Sequence, residues 1–257
     1  MTGSLPPIKV VETARDISIF ELGNGLVMVV GCDSCGGIGP KSLDEVKVDG
    51  HTLGRFTARV ALMEVLAAGA LPTCMVNTLS VEPEPTGVEI LEGIRSEVQH
   101  AGLSHALVIT GSMERNIPVK QTGLGVTVIG LVLRSQLKIG RSKPGDLIVA
   151  IGIPSVEMEV LAAEKQGKIA DLKDFLKLVS FNFVHEVIPV GSKGIIHEAN
   201  VLAQDSHLHV KLQEKTGVDI KKSAGPATTV VVSISKDAFN QLLQFINKPM
   251  HVIGSLY

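Results

Sequence analysis

The sequence predicts a mixed α/β (α+β) fold, and three observations support that prediction. Hydrophobic residues make up 45% of the 257 residues, enough to fill a substantial core. Aromatic residues are only 3% and glycine occurs 26 times, which indicates a core of Val, Ile, Leu and Ala with many tight turns. Short β-branched runs also alternate with stretches of helical hydrophobic period, as in sheets covered by helices.

Six strands and six helices follow from these periodicities. Strands are predicted at 26–30, 107–110, 126–133, 147–151, 183–190 and 229–234. Helices are predicted at 52–68, 87–100, 156–166, 172–179, 194–204 and 237–245. The first helix is the clearest, because Phe56, Val60 and Met63 recur at helical spacing, Thr52 is placed to cap its start and Gly69 to end it.

The segment that follows the third strand predicts a domain boundary. Residues 134–146, RSQLKIGRSKPGD, are basic, turn-rich and short of large apolar side chains, and they separate two blocks that each have strands and helices. We therefore expect an amino-terminal domain at 1–135 and a carboxyl-terminal domain at 136–257, each of ordinary domain size.

Charge and hydropathy exclude several classes of protein. With 24 Lys and Arg against 26 Asp and Glu, the net charge of −2 lacks the positive field that non-specific nucleic-acid binding requires. No apolar run reaches the roughly 20 residues of a membrane helix. The amino-terminal residues show no signal-peptide pattern and there are only three cysteines, so we expect a cytoplasmic protein.

The segment 30–49, VGCDSCGGIGPKSLDEVKVD, has the features of an anion-binding loop. Asp33 is expected at the end of a strand, where a carboxylate is able to hold a divalent cation against phosphate oxygens. The candidate phosphate-binding residues that follow are Gly36, Gly37, Gly39 and Lys41. Pro40 precludes a Walker A loop. The pattern therefore predicts a nucleotide site, with an ordinary glycine-rich turn as the alternative.

A second candidate metal ligand, Glu64, lies at the edge of the apolar face of the first helix. An ion pair with Arg59 or Arg55 is the alternative role. Residues five apart on a helix do not face each other, so Arg59 is poorly placed to neutralise Glu64. We therefore predict that Glu64 points into the nucleotide site, where a bound cation would offset the cost of burying its charge.

A polar segment follows the second predicted strand, in the run ITGSMERN at 109–116. A turn there would display oxygen ligands or phosphate donors, and the candidates are Gly111, Ser112, Glu114 and Asn116. The alternative is a surface turn. Asp16 would by itself be taken as a solvated residue before the apolar run that begins at Ile17.

These segments together resemble the superfamily of ATP-binding enzymes that contains aminoimidazole ribonucleotide synthetase, thiamine monophosphate kinase and selenophosphate synthetase. The resemblance depends on the strand with Asp33 and its glycine loop and on the helix end LMEVLAAGALP at 62–72. It also includes the run at 109–116, VTVIGLV at 126–132 and GRSKPGDLIVAIG at 140–152. The order and spacing of these weak signals make the match specific.

The resemblance implies a two-domain aminoimidazole ribonucleotide synthetase-like fold, a homodimer formed through the amino-terminal sheet, and ATP and Mg²⁺ as cofactors. It implies that Asp33 and Glu64 are catalytic. The implied metal ligands are Asp16, Asp33, Glu64 and Glu114. Ser112 stands where the family usually has an acidic residue, so Glu114 is expected to substitute for it.

The carboxyl-terminal domain is shortened relative to the family pattern. Segment 153–157 lacks the usual glycines, and the acidic substrate segment of thiamine monophosphate kinase is reduced to PVGSKG at 189–194. The compact form most resembles α-ribazole kinase of cobalamin biosynthesis, which implies ATP-dependent phosphoryl transfer to a nucleoside-like hydroxyl of a small molecule. The alternatives are an amide-activating ligase or cyclase of the same superfamily, and a catalytically inactive ATP-binding regulator.

Overall fold

The computed structural model describes residues 8–257, which form two β-sheets with helices packed between and over them. The six-stranded first sheet has the order β1-β2-β3-β8-β6-β7, and all its pairs are antiparallel except β6–β7. Its strands are β1 (Lys9–Val11), β2 (Ile17–Gly23), β3 (Leu26–Gly36), β6 (Leu71–Leu79), β7 (Val108–Met113) and β8 (Gly123–Leu133). A two-stranded ribbon of β4 (Ile38–Gly39) and β5 (Val46–Lys47) follows β3.

The helices of the first domain, α1 (Gly50–Ala67) and α2 (Val88–His100), pack against each other on one face of this sheet. Glycines allow this close approach. A Cβ atom at Gly54 would collide with the backbone of Ile90, and one at Gly93 would collide with the carbonyl of His51. Asp49 caps α1 by accepting a hydrogen bond from the Thr52 N–H at 2.7 Å, so the expectation that Thr52 is the cap was wrong.

The second sheet is five-stranded and antiparallel, with the order β10-β12-β9-β13-β11. Its strands are β9 (Leu147–Ile151), β10 (Val184–Pro189), β11 (Val210–Leu212), β12 (Val230–Ile234) and β13 (Met250–Leu256). The helices of this domain are α3 (Met158–Lys165), α4 (Leu172–Ser180), α5 (Ile195–Asp205) and α6 (Phe239–Phe245). All six predicted helices are confirmed, with ends within two residues of those expected.

Helix α1 joins the two domains, because it packs on β3 and β8 of the first sheet and on β10 and α4 of the second domain. One hydrophobic core therefore runs from the first sheet through α1 to one face of the second sheet, while α5 covers the opposite face. The boundary at 135/136 falls between β8 and β9 and stays a prediction. In the part of the chain from residue 8 onward, no helix is long and apolar enough to span a bilayer.

Candidate functional site

Four carboxylates lie together at the junction of the two domains. They are Asp16 ahead of β2, Asp33 in β3, Glu64 in α1 and Glu198 in α5. Burial raises the pKa of Glu64, and the charges of Glu198, Asp16 and Asp33 raise it further, so these three groups lie close enough to Glu64 to disfavour its charge. The structure thus brings together three acidic residues expected from the sequence and adds Glu198 from the second domain.

Asp33 lies inside β3, which continues to Gly36, so the expectation of a strand end at Asp33 was wrong. The strand continues because it pairs with β8 along its whole length. Strand alternation places Asp33 on the helix side of the sheet, the same side as Gly31. A Cβ atom at Gly31 would lie 3.0 Å from the Cβ of Glu64, so this glycine permits the close approach that puts Glu64 beside the strand. Burial raises the pKa of Asp33 to about 6.

Burial raises the pKa of Glu64 to about 8, although the positive charge of Arg15 opposes this shift. The guanidinium of Arg15 is engaged elsewhere, with Glu186 and Asp205. As the helical spacing predicted, Arg59 does not neutralise Glu64, because its guanidinium pairs with Glu97 at 2.6 Å. Within residues 8–257 the Glu64 carboxylate forms no ion pair. Its carboxyl group is therefore available to a ligand.

Glu198 was missed in the sequence because its only local signal is a position in the first turn of α5, after the Gly-Ser-Lys-Gly turn. Burial raises the pKa of Glu198 to about 7, while the Gly191 N–H and the Lys193 charge oppose the shift. The neighbouring Asp16 charge raises it further. A helix of the second domain thus presents a titratable carboxylate to a site built mainly from the first domain.

The donor set of this cluster fits Mg²⁺. In residues 8–257, no three His, Cys, Asp or Glu side chains form a ready-made metal cage. Mg²⁺ does not require one, because it keeps several waters and binds through one or two carboxylates together with substrate phosphates. Neighbouring carboxylates that form no ion pair within residues 8–257 suit an ion of this kind. The residues that would hold it are Asp33 and Glu64, with Asp16 and Glu198 at the rim of the site.

The glycine-rich loop is held largely by contacts within the protein. Gly36 is the last residue of β3, and the Gly37 N–H donates to the Thr122 carbonyl at 2.9 Å. The buried Asp44 accepts hydrogen bonds from the Thr122 N–H and hydroxyl, both at 2.7 Å. Lys41 forms an ion pair with Glu82, and Gly39 belongs to β4. The phosphate-binding role expected for Gly36, Gly37, Gly39 and Lys41 stays a prediction.

Gly111 and Ser112 lie within the edge strand β7, so the expectation that they form a loop was wrong. The strand extends through them because it continues to pair with β6. β7 is three strands from β3, a separation of about 14 Å at the usual strand spacing. Glu114 accepts hydrogen bonds from the N–H groups of Asn116 and Ile117, which hold its pKa below the usual value. The structure does not bring these residues into the carboxylate cluster.

A cavity of about 220 Å³ adjoins Asp33 between the two domains. Its apolar walls come from the first domain and from α3, and they include Ile38, Val46, Val48, Leu53, Phe56, Val160 and Leu161. Asp33 and Glu157 are its charged lining residues. Burial, together with the charges of Asp33 and Asp44, raises the pKa of the lining thiol of Cys35 to about 11, which keeps it protonated at neutral pH.

Residues 14–132 match the family model described as AIR synthase related protein, N-terminal domain. No curated protein matches the chain in sequence. Several solved structures share its fold. The thiamine-monophosphate kinase of Stenotrophomonas maltophilia is 18% identical with a TM-score of 0.64, covering 96% of this chain and 88% of that one.

Two further structures were determined with an ATP analogue. AaThiL, complexed with AMPPCP and TMP, is 15% identical with a TM-score of 0.64, covering 95% of this chain and 84% of that one. Thermotoga maritima PurL, complexed with AMPPCP, is 18% identical with a TM-score of 0.63, and the match covers 96% of this chain but 41% of PurL. The family match supports the resemblance for residues 14–132, the solved structures confirm the two-domain fold, and α-ribazole kinase stays a prediction.

Proposed function

Because residues 14–132 form an AIR synthase-related domain, we propose that this protein is an ATP-dependent kinase that phosphorylates a hydroxyl of a nucleoside-like small molecule. One observation carries the proposal. Four carboxylates from both domains converge beside an interdomain cavity, burial raises the pKa of Asp33, Glu64 and Glu198, and none of the four forms an ion pair in residues 8–257. A site of this kind is suited to a divalent cation and the phosphates that the cation binds.

Asp33 and Glu64 would hold Mg²⁺, with Asp16 and Glu198 completing the acidic rim. The bound ion would supply charge neutralisation to the triphosphate, which is the main requirement of phosphoryl transfer. Glu198 has a pKa of about 7 and is suited to accept the proton of the acceptor hydroxyl near neutral pH. The hydroxyl oxygen then forms a bond to the γ-phosphorus, the bond to the β–γ bridging oxygen breaks, and ADP leaves.

The nature of the acceptor follows from the resemblance to α-ribazole kinase. We propose a nucleoside whose primary hydroxyl reaches the carboxylate cluster, with α-ribazole as the first compound to test. Phosphoryl transfer gives a phosphate monoester and ADP, whereas an amide-activating ligase gives free phosphate, ADP and a dehydrated product. An inactive regulator would bind ATP without producing ADP.

The decisive experiment incubates the protein with Mg-ATP and α-ribazole and identifies the products by ³¹P NMR and mass spectrometry. A phosphate monoester that is absent with Asp33→Asn supports the proposal. Glu92→Gln on the exposed face of α2 is the matched control and is expected to retain activity. ATP binding without any ADP formation, across a panel of nucleosides, would reject the kinase.

We also propose a homodimer formed through the outer face of the first sheet. On β3 and β8, residues Val30 and Ile129 are paired across the strands and point away from α1, and they are only partly buried in the single chain. A second copy would cover this apolar face. Light scattering is expected to give twice the chain mass of 27.2 kDa, and Ile129→Lys is expected to give the monomer mass. A wild-type monomer at micromolar concentration would reject the dimer.

A further inference from the structure

The interdomain cavity has the composition of a pocket for a flat ring. Its walls are the apolar side chains of the β4–β5 ribbon and α1 on one side and of α3 on the other, with Phe56 and Val160 among them. Small-molecule pockets combine such apolar walls with a few polar groups that fix orientation. Here the charged groups are Asp33, which belongs to the carboxylate cluster, and Glu157, which precedes α3.

The Glu157 carboxylate is free to accept a hydrogen bond from a ligand. It is exposed, it lines the cavity, and it also borders the groove formed by Gly36 and Gly37. In the described part of the chain, from residue 8 to the end, this carboxylate makes no hydrogen bond or ion pair. Its neighbour Glu159, by contrast, pairs with Lys222 at 2.5 Å.

The backbone conformation of Glu157 is strained. Its φ is +51° and its ψ is −129°, a combination that glycine adopts readily and a residue with a Cβ adopts rarely. Backbone strain of this kind is concentrated at ligand-binding positions. Glycine would relieve the strain but would lose the carboxylate at the cavity.

We propose that this cavity binds the adenine ring of ATP and that Glu157 selects adenine by accepting a hydrogen bond from its exocyclic amino group. The inference rests on the proposed ATP-dependent function. Because Asp33 borders both the cavity and the carboxylate cluster, one nucleotide is able to place its base in the former and its phosphates at the latter. A carboxylate only accepts hydrogen bonds, so it pairs with the amino group of adenine and repels the carbonyl oxygen that replaces it in hypoxanthine.

The test compares the affinities of ATP and inosine triphosphate, both with Mg²⁺, by isothermal titration calorimetry. The wild type is expected to bind ATP about tenfold more tightly, which is the effect of one hydrogen bond to a charged group. Glu157→Gln retains the shape and the backbone strain but has an amide that donates as well as accepts, so it is expected to bind the two nucleotides with similar affinity. Glu159→Gln is the matched control, and it is expected to retain the wild-type preference.

A second variant, Glu157→Gly, tests the effect of the carboxylate and the effect of the backbone strain by two separate measurements. It is expected to lose the preference for ATP while its melting temperature without nucleotide rises, because glycine adopts the backbone angles of this position without strain. A purely structural role of Glu157 predicts an unchanged nucleotide preference in both variants.

The possible results separate the role of Glu157 from the proposed ATP-dependent function. If the wild type binds neither triphosphate, the proposed ATP-dependent function fails. If it binds ATP but shows no preference over inosine triphosphate, or if both Glu157 variants retain the preference, ATP binding stands and the role of Glu157 is overturned. Loss of the preference in both variants, with Glu159→Gln unchanged, supports the inference.

Discussion

Two glutamates, the buried Glu186 in the second sheet and the partly buried Glu64 in α1, have opposite surroundings. Glu186 is 1% exposed. It accepts hydrogen bonds from the Arg15 guanidinium, from the N–H groups of Gly140, Arg141 and Ser142, and from the hydroxyls of Ser142 and Ser206. It thereby ties the segment before β2 and the interdomain linker to β10.

Glu64 is surrounded by other carboxylates instead of by donors. Asp16, Asp33 and Glu198 all raise its pKa, and its pKa of about 8 means that it is mostly protonated at neutral pH. A buried carboxylate supplied with donors stabilises the fold, whereas one that faces like charges is held at a cost to the fold. The number of hydrogen-bond donors around each acid therefore distinguishes the candidate site from the scaffold.

The largest effect on stability is expected when Glu186 is replaced. Glu186→Ala leaves the buried Arg15 without a principal partner and should cost about 3–5 kcal/mol of unfolding free energy. The melting temperature is then expected to fall by about 10 °C or more. Thermal unfolding followed by circular dichroism measures this loss. A double variant, Glu186→Leu with Arg15→Met, should recover part of the stability, and an unchanged melting temperature in Glu186→Ala would contradict the role of this cluster.

Glu64→Gln is expected to act in the opposite direction on the nucleotide-free protein. Since folding raises the Glu64 pKa from 4.5 to about 8, the folded state holds a proton that the unfolded state releases, and stability is lost as pH rises through this window. The glutamine variant has no such proton, so at pH 8 it should melt about 3 °C or more above the wild type. The gap should close near pH 4.5, while turnover is abolished. If the difference in melting temperature between the variant and the wild type widened at low pH, the predicted direction of the pH dependence would be contradicted.

Asp33→Asn tests whether the carboxylate cluster binds a metal-nucleotide complex. Removing one hard oxygen charge should weaken Mg-ATP binding by about tenfold and leave the nucleotide-free fold intact. Titration calorimetry with and without Mg²⁺ measures both the affinity and its metal dependence. Equal affinity of the wild type and the variant would remove Asp33 from the site.

The smallest effect is expected from Glu114→Gln. Glu114 follows the edge strand β7 and accepts hydrogen bonds from the backbone just after it, outside the carboxylate cluster. Mg-ATP affinity should therefore change by less than about twofold, a difference well below that of one ligand interaction. A loss as large as that of Asp33→Asn would show that the site extends to this strand and would restore the metal role expected from the sequence.

All six α-helices of the described residues and several strands were predicted from the sequence, because hydrophobic periodicity is a local property. It did not reveal β6, whose Pro72 lies at a bulge in the pairing with β8 and interrupts the strand pattern. The short β1 and the terminal β13 were also missed. These strands are stabilised by pairing with distant partners, which no local pattern records.

Some residues of the candidate site were likewise predicted from the sequence and others were not. Asp33 and Glu64 were identified from the sequence, because each stands in a segment with a recognisable pattern. Three features came from long-range packing alone: Glu198 lies beside them, Ser112 lies about three strand spacings away, and Glu157 faces the first domain across a cavity. The physical reason is that a pKa shift, a cavity and an unpaired charge depend on groups brought together from distant parts of the chain, whereas the sequence shows only the neighbours of each residue along it.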